Sequence, residues 1–448
     1  MLSAAEERLE AEELRAPPLA LLALAPAQAV HAQAPAPAPA PAVQAATTPL
    51  QHRVNALVVL FAGGGDYAAD FADRFRAAIS PEQMAAIGAQ LRAALGKPIA
   101  IERTQASGAW LADVVVGFER GTASVTVQIE PNAPNRIIGL RVTGTQIRDD
   151  SFGRVAADLA ALPGSAGIGV YALGEARVPR AIIEVNAGTP APIGSSFKLW
   201  VLAETVRQVR SGVRRWSDVV TLGPRSLPTG QLQAWPAGAA VTLETLATMM
   251  VSISDNTATD TLMTTLGRAR VDAIVATVGV ADPARTLPLA TTREVAGIKA
   301  NPALTAAWTR ADVAGRRALL LANRTRLAAA PLDVAMFDGA PIAPDAVEWF
   351  ASPRDMARTL DWLRMHADGA TQAMLAINPG IAPGSARAFG YAGYKGGSEP
   401  GVIAMNHLLN TRGGHWYAVT GNWHRGDAAV DDAAFAAIMA RAVALVAR

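Results

Sequence analysis

Between residues 166 and 448, strand-like runs lie at the two ends and helical patterns fill the middle. Apolar runs at 167–173 and 181–185 open the region. Runs at 401–409 and 415–422, then an Ala-rich amphipathic stretch at 430–447, close it. An isolated strand leaves its backbone N–H and C=O groups unpaired, so distant runs must meet in a sheet. The pattern predicts one mixed sheet that unites both ends of the region and is covered by a C-terminal helix. No internal repeat is visible.

Residues 54–148 read as a separate small α+β unit. Ser80-Pro81-Glu82-Gln83 is a capping box with Pro at the first helical position, which predicts a helix to about residue 95. Four strand-like runs follow at 98–104, 109–118, 123–130 and 136–143, so helices precede an antiparallel meander. Gly63-Gly64-Gly65 is not followed by Lys-Ser/Thr and is no phosphate loop. With no convergent acid, His or Tyr cluster, this unit is expected to be accessory. Residues 149–165 form a short helix and connection.

Ahead of it, Arg15, the mostly apolar stretch 16–30 and Val30-His31-Ala32 have the order of a secretory signal peptide, with cleavage after Ala32. The acidic residues 1–14 do not suit such a leader, so translation is expected to start near Leu14. Alternating Ala and Pro at 34–42 favour extended polyproline II and a semi-rigid spacer. The expected organisation is a leader at 1–32, an Ala/Pro linker at 33–53, the small domain at 54–148 and the main domain at 166–448. Export to the periplasm or outside the cell follows, with no integral membrane segment in the mature chain.

The chain is 51% apolar and 17% charged, with a formal net charge of +2. That balance argues for large buried cores and against a broad nucleic-acid-binding face. The absence of Cys excludes disulfides, thiolate nucleophiles and Cys-based metal sites, and the six His form no HExxH pair. No metal or cofactor is expected. Among 40 basic residues only Lys97, Lys198, Lys299 and Lys395 are lysines, so each of these draws attention.

Gly194-Ser195-Ser196-Phe197-Lys198 precedes the apolar run LWVLAETV. Ser195 is expected at a helix N-terminus with Lys198 one turn on, on the same face. A Ser hydroxyl needs a base to become a nucleophile, and a Lys whose pKa is lowered by burial or nearby positive charge can be that base. Ser254-Asp255-Asn256 follows a helical run and offers a second hydroxyl and an amide. Lys395-Gly396-Gly397-Ser398 offers a cation beside a Gly-rich backbone just ahead of the strand VIAMNHLL. Each motif alone also fits an ordinary helix cap, an Asx-rich junction or a Gly-rich turn into a strand. Together, two of four lysines fall where this chemistry needs one.

The ordered trio S-x-x-K, S-D-N and K-G-G-S resembles the serine β-lactamase and penicillin-binding family over about residues 166–448. Leu227-Pro228-Thr229-Gly230, the run Ser252–Asp260, Glu348-Trp349-Phe350-Ala351-Ser352-Pro353 and Lys395–Gly401 extend the resemblance. The whole chain is similar to the two-domain β-lactamase-like proteins of clavam biosynthesis, in which a small cyclase/isomerase-like domain comes first. The resemblance implies an α+β fold with a five-stranded antiparallel sheet flanked by helices and a helical lobe. It also implies acylation of Ser195, with Lys198 as base, Ser254 as proton carrier to the leaving nitrogen, and Asn256 positioning Lys198 and the substrate amide. Lys395 would set the electrostatics around Ser254 and a substrate carboxylate. Ser195, Gly397 and Ser398 would frame the oxyanion site, and Ser196 would be structural.

Two departures stand out. The family's E-x-x-L-N loop is missing. The candidate deacylating acid is Glu294, by its distance after Ser254, against the alternative of a helix-start carboxylate. Gly396 replaces the usual Ser or Thr of the third motif, and Ser398 would have to supply the lost hydroxyl. The expected activity is hydrolysis of a β-lactam by a monomeric serine hydrolase acting on a small molecule. The alternatives are an esterase or D-Ala-D-Ala-type peptidase on the same fold, or a non-hydrolytic lactam- or peptide-binding protein.

Overall fold

The computed structural model describes residues 47–448, apart from 176–177, 228 and 332–338. The leader at 1–32, most of the Ala/Pro linker and Pro228 lie outside the described residues.

The chain enters helix α1 (Pro49–Ala62), capped by the Thr48 side chain with Pro at the first position. The linker expected to reach residue 53 thus gives way to helix five residues early. Pro opened the helix, although in an Ala/Pro-rich context it had suggested a spacer. Helix α2 (Pro81–Leu95) starts on the predicted Ser80/Gln83 capping box. Strands β1 (Pro98–Ala106), β2 (Leu111–Phe118), β3 (Gly121–Ile129) and β4 (Ile137–Ile147) form an antiparallel meander in sequence order. Strand β3 alternates buried and half-buried residues, and its buried face meets Leu57, Phe61, Leu91 and Leu95 in one apolar core. Helix α3 (Phe152–Ala160) follows, with an N-cap at Ser151.

The main sheet has five strands: β5 (Ser165–Leu173), β6 (Arg180–Val185), β7 (Phe389–Glu399), β8 (Val402–Thr411) and β9 (Trp416–His424). Their order is β7-β8-β9-β5-β6. The expected union of both ends of the region is therefore met, through the β9–β5 pair. Every pairing is antiparallel, as the family resemblance implied, and not mixed as the sequence pattern alone had suggested. The third motif is also placed differently: Lys395–Glu399 lies inside edge strand β7, not ahead of a strand. Its glycines have low strand propensity, and pairing with β8 in full register overrides that.

One face of the sheet is covered by α3 and by helix α9 (Asp432–Val446), through Val155, Leu159, Phe435, Met439 and Val443. The other faces helix α8 (Pro353–His366), against which helix α4 (Lys198–Arg210) packs. Helix α4 is buried nearly all round over its first nine residues, from Lys198 to Val206. Such a helix belongs at the centre of a core. The helical lobe includes α5 (Leu243–Ser252), α6 (Asn256–Leu266) and α7 (Thr292–Lys299).

Candidate active site

A 3-10 turn, Gly194–Phe197, precedes α4 and places Ser195 half-buried at its head. Gly194 has φ +48°, a left-handed conformation that suits glycine. Strand β7 passes close to this turn. An added Cβ on Gly194 would come within 3.1 Å of the Ser398 backbone nitrogen, and one on Gly397 would overlap the backbone nitrogen of Ser195. Glycine at both positions lets β7 and the Ser195 turn lie backbone against backbone, with the nitrogens of Ser195 and Ser398 at that contact. Ser196 is buried; its hydroxyl accepts from Asn406 Nδ2 at 2.9 Å, and Asn406 also donates to the Lys395 carbonyl at 3.2 Å. Asn406 is a positioning residue that sequence reasoning missed. It pairs with Lys395 across β7–β8, a register set only by the sheet.

Lys198 has no exposed surface. Its Nζ donates to the Ser254 carbonyl at 2.6 Å, Asn256 Oδ1 at 2.7 Å and Ser254 Oγ at 3.0 Å. Lys395 Nζ donates to the same Ser254 Oγ at 3.0 Å and to the Gly396 carbonyl at 2.5 Å. Ser254 thus bridges the two lysines, and the three motifs meet as expected. Burial, then the charge of Lys395, holds Lys198 well below the usual ammonium range, while Asp260 and Asp255 oppose the shift. Burial alone brings Lys395 down to about 7.

Ser254 has φ +60°, unusual for a residue with a Cβ. The conformation is held by Asp255 N donating to the Met249 carbonyl (3.1 Å) and by Thr229 Oγ1 donating to the Ser254 carbonyl (3.0 Å). Asp255 caps α6 through Ala258 N (2.8 Å) and accepts from Gln231 N (2.6 Å) and Leu232 N (2.8 Å). An added Cβ on Gly230, which has φ +90°, would overlap that carboxylate. The second motif and the loop before it are therefore one fixed piece. Asn256 Nδ2 donates to the Leu227 carbonyl at 3.2 Å, which orients its oxygen toward Lys198.

A cavity of about 250 Å³ is lined by Ser195, Asn256, Thr292, Val295, Glu348 and Ser398, among others. Glu294 does not reach it. Its Oε2 accepts from Thr291 N at 2.8 Å as a capping box, and its Oε1 accepts from Arg268 at 2.6 Å beside a different cavity. The expectation of a deacylating Glu294 is corrected by helix geometry. Thr292, Val295, Ala296 and Lys299 follow the i, i+3, i+4, i+7 stripe of α7 toward the core, and Glu294 lies off it. Glu348 and Trp349 are brought in by the pairing of Phe350–Ala351 with Ala191–Pro192. Trp349 stacks on Phe197 with ring centroids 3.8 Å apart.

Tyr394 accounts for the missing third-motif hydroxyl. Its phenol oxygen occupies the space a Cβ on Gly396 would take. Burial pushes the Tyr394 hydroxyl up to about 12, so it is a neutral group.

No curated protein sequence matches this chain. Among solved structures, a β-lactamase from Sphaerobacter thermophilus DSM 20745 is 22% identical, covering 66% of this chain and 97% of that chain, with a TM-score of 0.46. A β-lactamase from Chitinophaga pinensis DSM 2588 is 16% identical, covering 66% and 97%, with a TM-score of 0.45. An ancestral class A β-lactamase is 20% identical, covering 66% and 97%, with a TM-score of 0.45. Residues 153–374 match the model of the β-lactamase enzyme family; they hold Ser195, Lys198, Ser254 and Asn256, while Lys395 and Ser398 lie beyond their end. That region, just under half of the chain, is thus similar to the β-lactamase enzyme family.

Proposed function

We propose that this chain is a serine hydrolase of the class A β-lactamase type, which opens β-lactams through an acyl-enzyme on Ser195. The observation that carries the reading is the Lys198–Ser254–Lys395 bridge, with both lysines 3.0 Å from one hydroxyl oxygen. Ser195 Oγ attacks the lactam carbonyl carbon, and its proton passes to neutral Lys198. The developing oxyanion is met by the Ser195 and Ser398 N–H groups. Lys198 passes a proton through Ser254 to the ring nitrogen as the C–N bond breaks. Lys395 keeps Ser254 oriented and, in its protonated form, draws a carboxylate-bearing substrate toward it. Water then releases the acyl group. We also propose that the protein is exported by its leader and that the unit before residue 149 is accessory; no helix among the described residues is long and apolar enough to cross a membrane.

Intact-mass measurement after incubation with benzylpenicillin tests this reading. The parent should gain the mass of one penicillin and lose it again as free penicilloate accumulates. Ser195→Ala should gain nothing and turn over nothing. Parent and Ser195→Ala behaving alike would overturn the proposal, and a permanent adduct would favour a lactam-binding or peptidase-like protein.

A further inference from the structure

The cavity that contains Ser195 is also lined by two carboxylates, Glu348 and Glu399. Both meet one ammonium. Lys299 Nζ donates to Glu348 Oε1 at 3.2 Å and to Glu399 Oε1 by a shorter contact. The Lys299 and Glu348 side chains are 0% and 1% exposed, and Glu399 keeps 13%. Glu348 Oε2 is occupied by the Trp349 backbone N–H at 3.2 Å. The Glu399 carboxyl also lies within hydrogen-bonding reach of the Glu348 carboxyl, and it keeps a face on the cavity. Glu399 directly follows Ser398, whose backbone nitrogen lies against the Ser195 turn, so its backbone is fixed one residue from the expected oxyanion site.

The charges do not balance. Two carboxylates and one ammonium leave an excess negative charge in a buried place. The pair relieves this by holding a proton. Burial and the charge of Glu348 push Glu399 up to about 8, against the pull of Lys299. A carboxyl that gains and loses a proton near neutral pH, held by Lys299 in the wall of the Ser195 cavity, has the properties of a general acid–base.

Resting on the serine-hydrolase reading above, we propose that Glu399, poised by Glu348 and Lys299, is the catalytic base of deacylation, the role that Glu294 does not reach. The oxygen of a water molecule adds to the acyl carbon as its proton passes to Glu399. The bond from that carbon to Ser195 Oγ then breaks, and the proton on Glu399 goes to Ser195 Oγ. Free serine and the carboxylic acid product result, with nothing oxidised or reduced. Glu348 and Lys299 act as positioning residues.

The test is a time course of benzylpenicillin acylation and release on the full chain, by rapid quench and intact mass. Glu399→Gln should acylate within about threefold of the parent, while release slows by roughly 10²–10⁴-fold, the usual worth of a general base. The adduct should accumulate. Glu348→Gln leaves one carboxylate per ammonium, so its release-rate profile should shift to lower pH without collapsing. That second variant decides the matter if Glu399→Gln does not fold. Release from Glu399→Gln at the parent's rate, equal slowing of acylation and release, or an unshifted Glu348→Gln profile would each overturn the assignment. A parent that acylates but never releases would also overturn it while leaving the Ser195 reading intact. A parent that forms no adduct would overturn both.

Discussion

At Ser254 the backbone takes φ +60° so that one residue offers both its carbonyl and its hydroxyl to Lys198. Such a conformation costs of order 1–3 kcal/mol and persists where surrounding bonds impose it. Ser254→Gly separates the two roles. Glycine accepts the left-handed backbone, so stability should hold or rise by up to about 1 kcal/mol. Acylation should fall by roughly 10²–10⁴-fold with the proton carrier gone. Thermal unfolding and single-turnover acylation by benzylpenicillin check both halves, and a variant that acylates at the parent's rate would remove Ser254 from the proton path. The meeting of Lys198 and Asn256 with Ser254 was legible because each motif is local and the three motifs stand in a fixed order. The strain at Ser254 was not, because it is imposed by Thr229 and Met249, which lie outside the motif.

At the scale of elements, β7 and α7 are where expectation and structure part. Strand β7 was hidden by its glycines, although its partner β8 is an obvious apolar run. The lost hydroxyl at Gly396 has a neighbour-based cause, since Tyr394 fills the space. Gly396→Ser alone should therefore destabilise by about 1–3 kcal/mol through overpacking. Combined with Tyr394→Val, which empties the space, the same substitution should cost much less, a non-additivity expected of residues in contact. Denaturant unfolding of the two single variants and the double variant measures it; strictly additive values would mean that Tyr394 and position 396 do not compete. On α7 a signal was available. The stripe of Thr292, Val295, Ala296 and Lys299 names the inward face and excludes Glu294, and Thr291 with Glu294 three residues on is a capping-box signature.

Across the whole molecule, buried charge ties the site to stability. Burial lowers Lys395 to about 7 from an ordinary 10.5. Between these values the unfolded chain binds more protons than the folded one, so this group's contribution to stability rises with pH and is lost as pH falls through about 7. Glu399 runs the other way. Its carboxyl is raised, so its contribution is present at low pH and is lost as pH rises through about 8. Comparing the parent with Lys395→Met cancels the Glu399 contribution, common to both. The stability difference should move in the parent's favour by up to about 1.4 kcal/mol per pH unit between about pH 7 and 10. Denaturant unfolding of both proteins across that window checks it, and parallel curves would contradict a largely neutral buried Lys395. The C-terminal helix is tied to the connection before the main region as well. Arg441 on α9 forms two 2.8 Å bonds to Asp150, just ahead of α3.

What the sequence determined by itself is whatever depends on near neighbours: the capping boxes, the meander of β1 to β4, the two strands at each end, and the three motifs with their serines and lysines. These follow from periodicity and side-chain chemistry over a few residues. The tertiary structure decided what depends on which face meets which. It carried Glu348 to the turn of Ser195 through a two-residue strand pair, turned Glu294 away, and set Lys299 between two carboxylates. Lys299 had no motif around it and received no role from the sequence. Its partners lie 49 and 100 residues further along the chain, and only burial in a common core gives such a contact its strength.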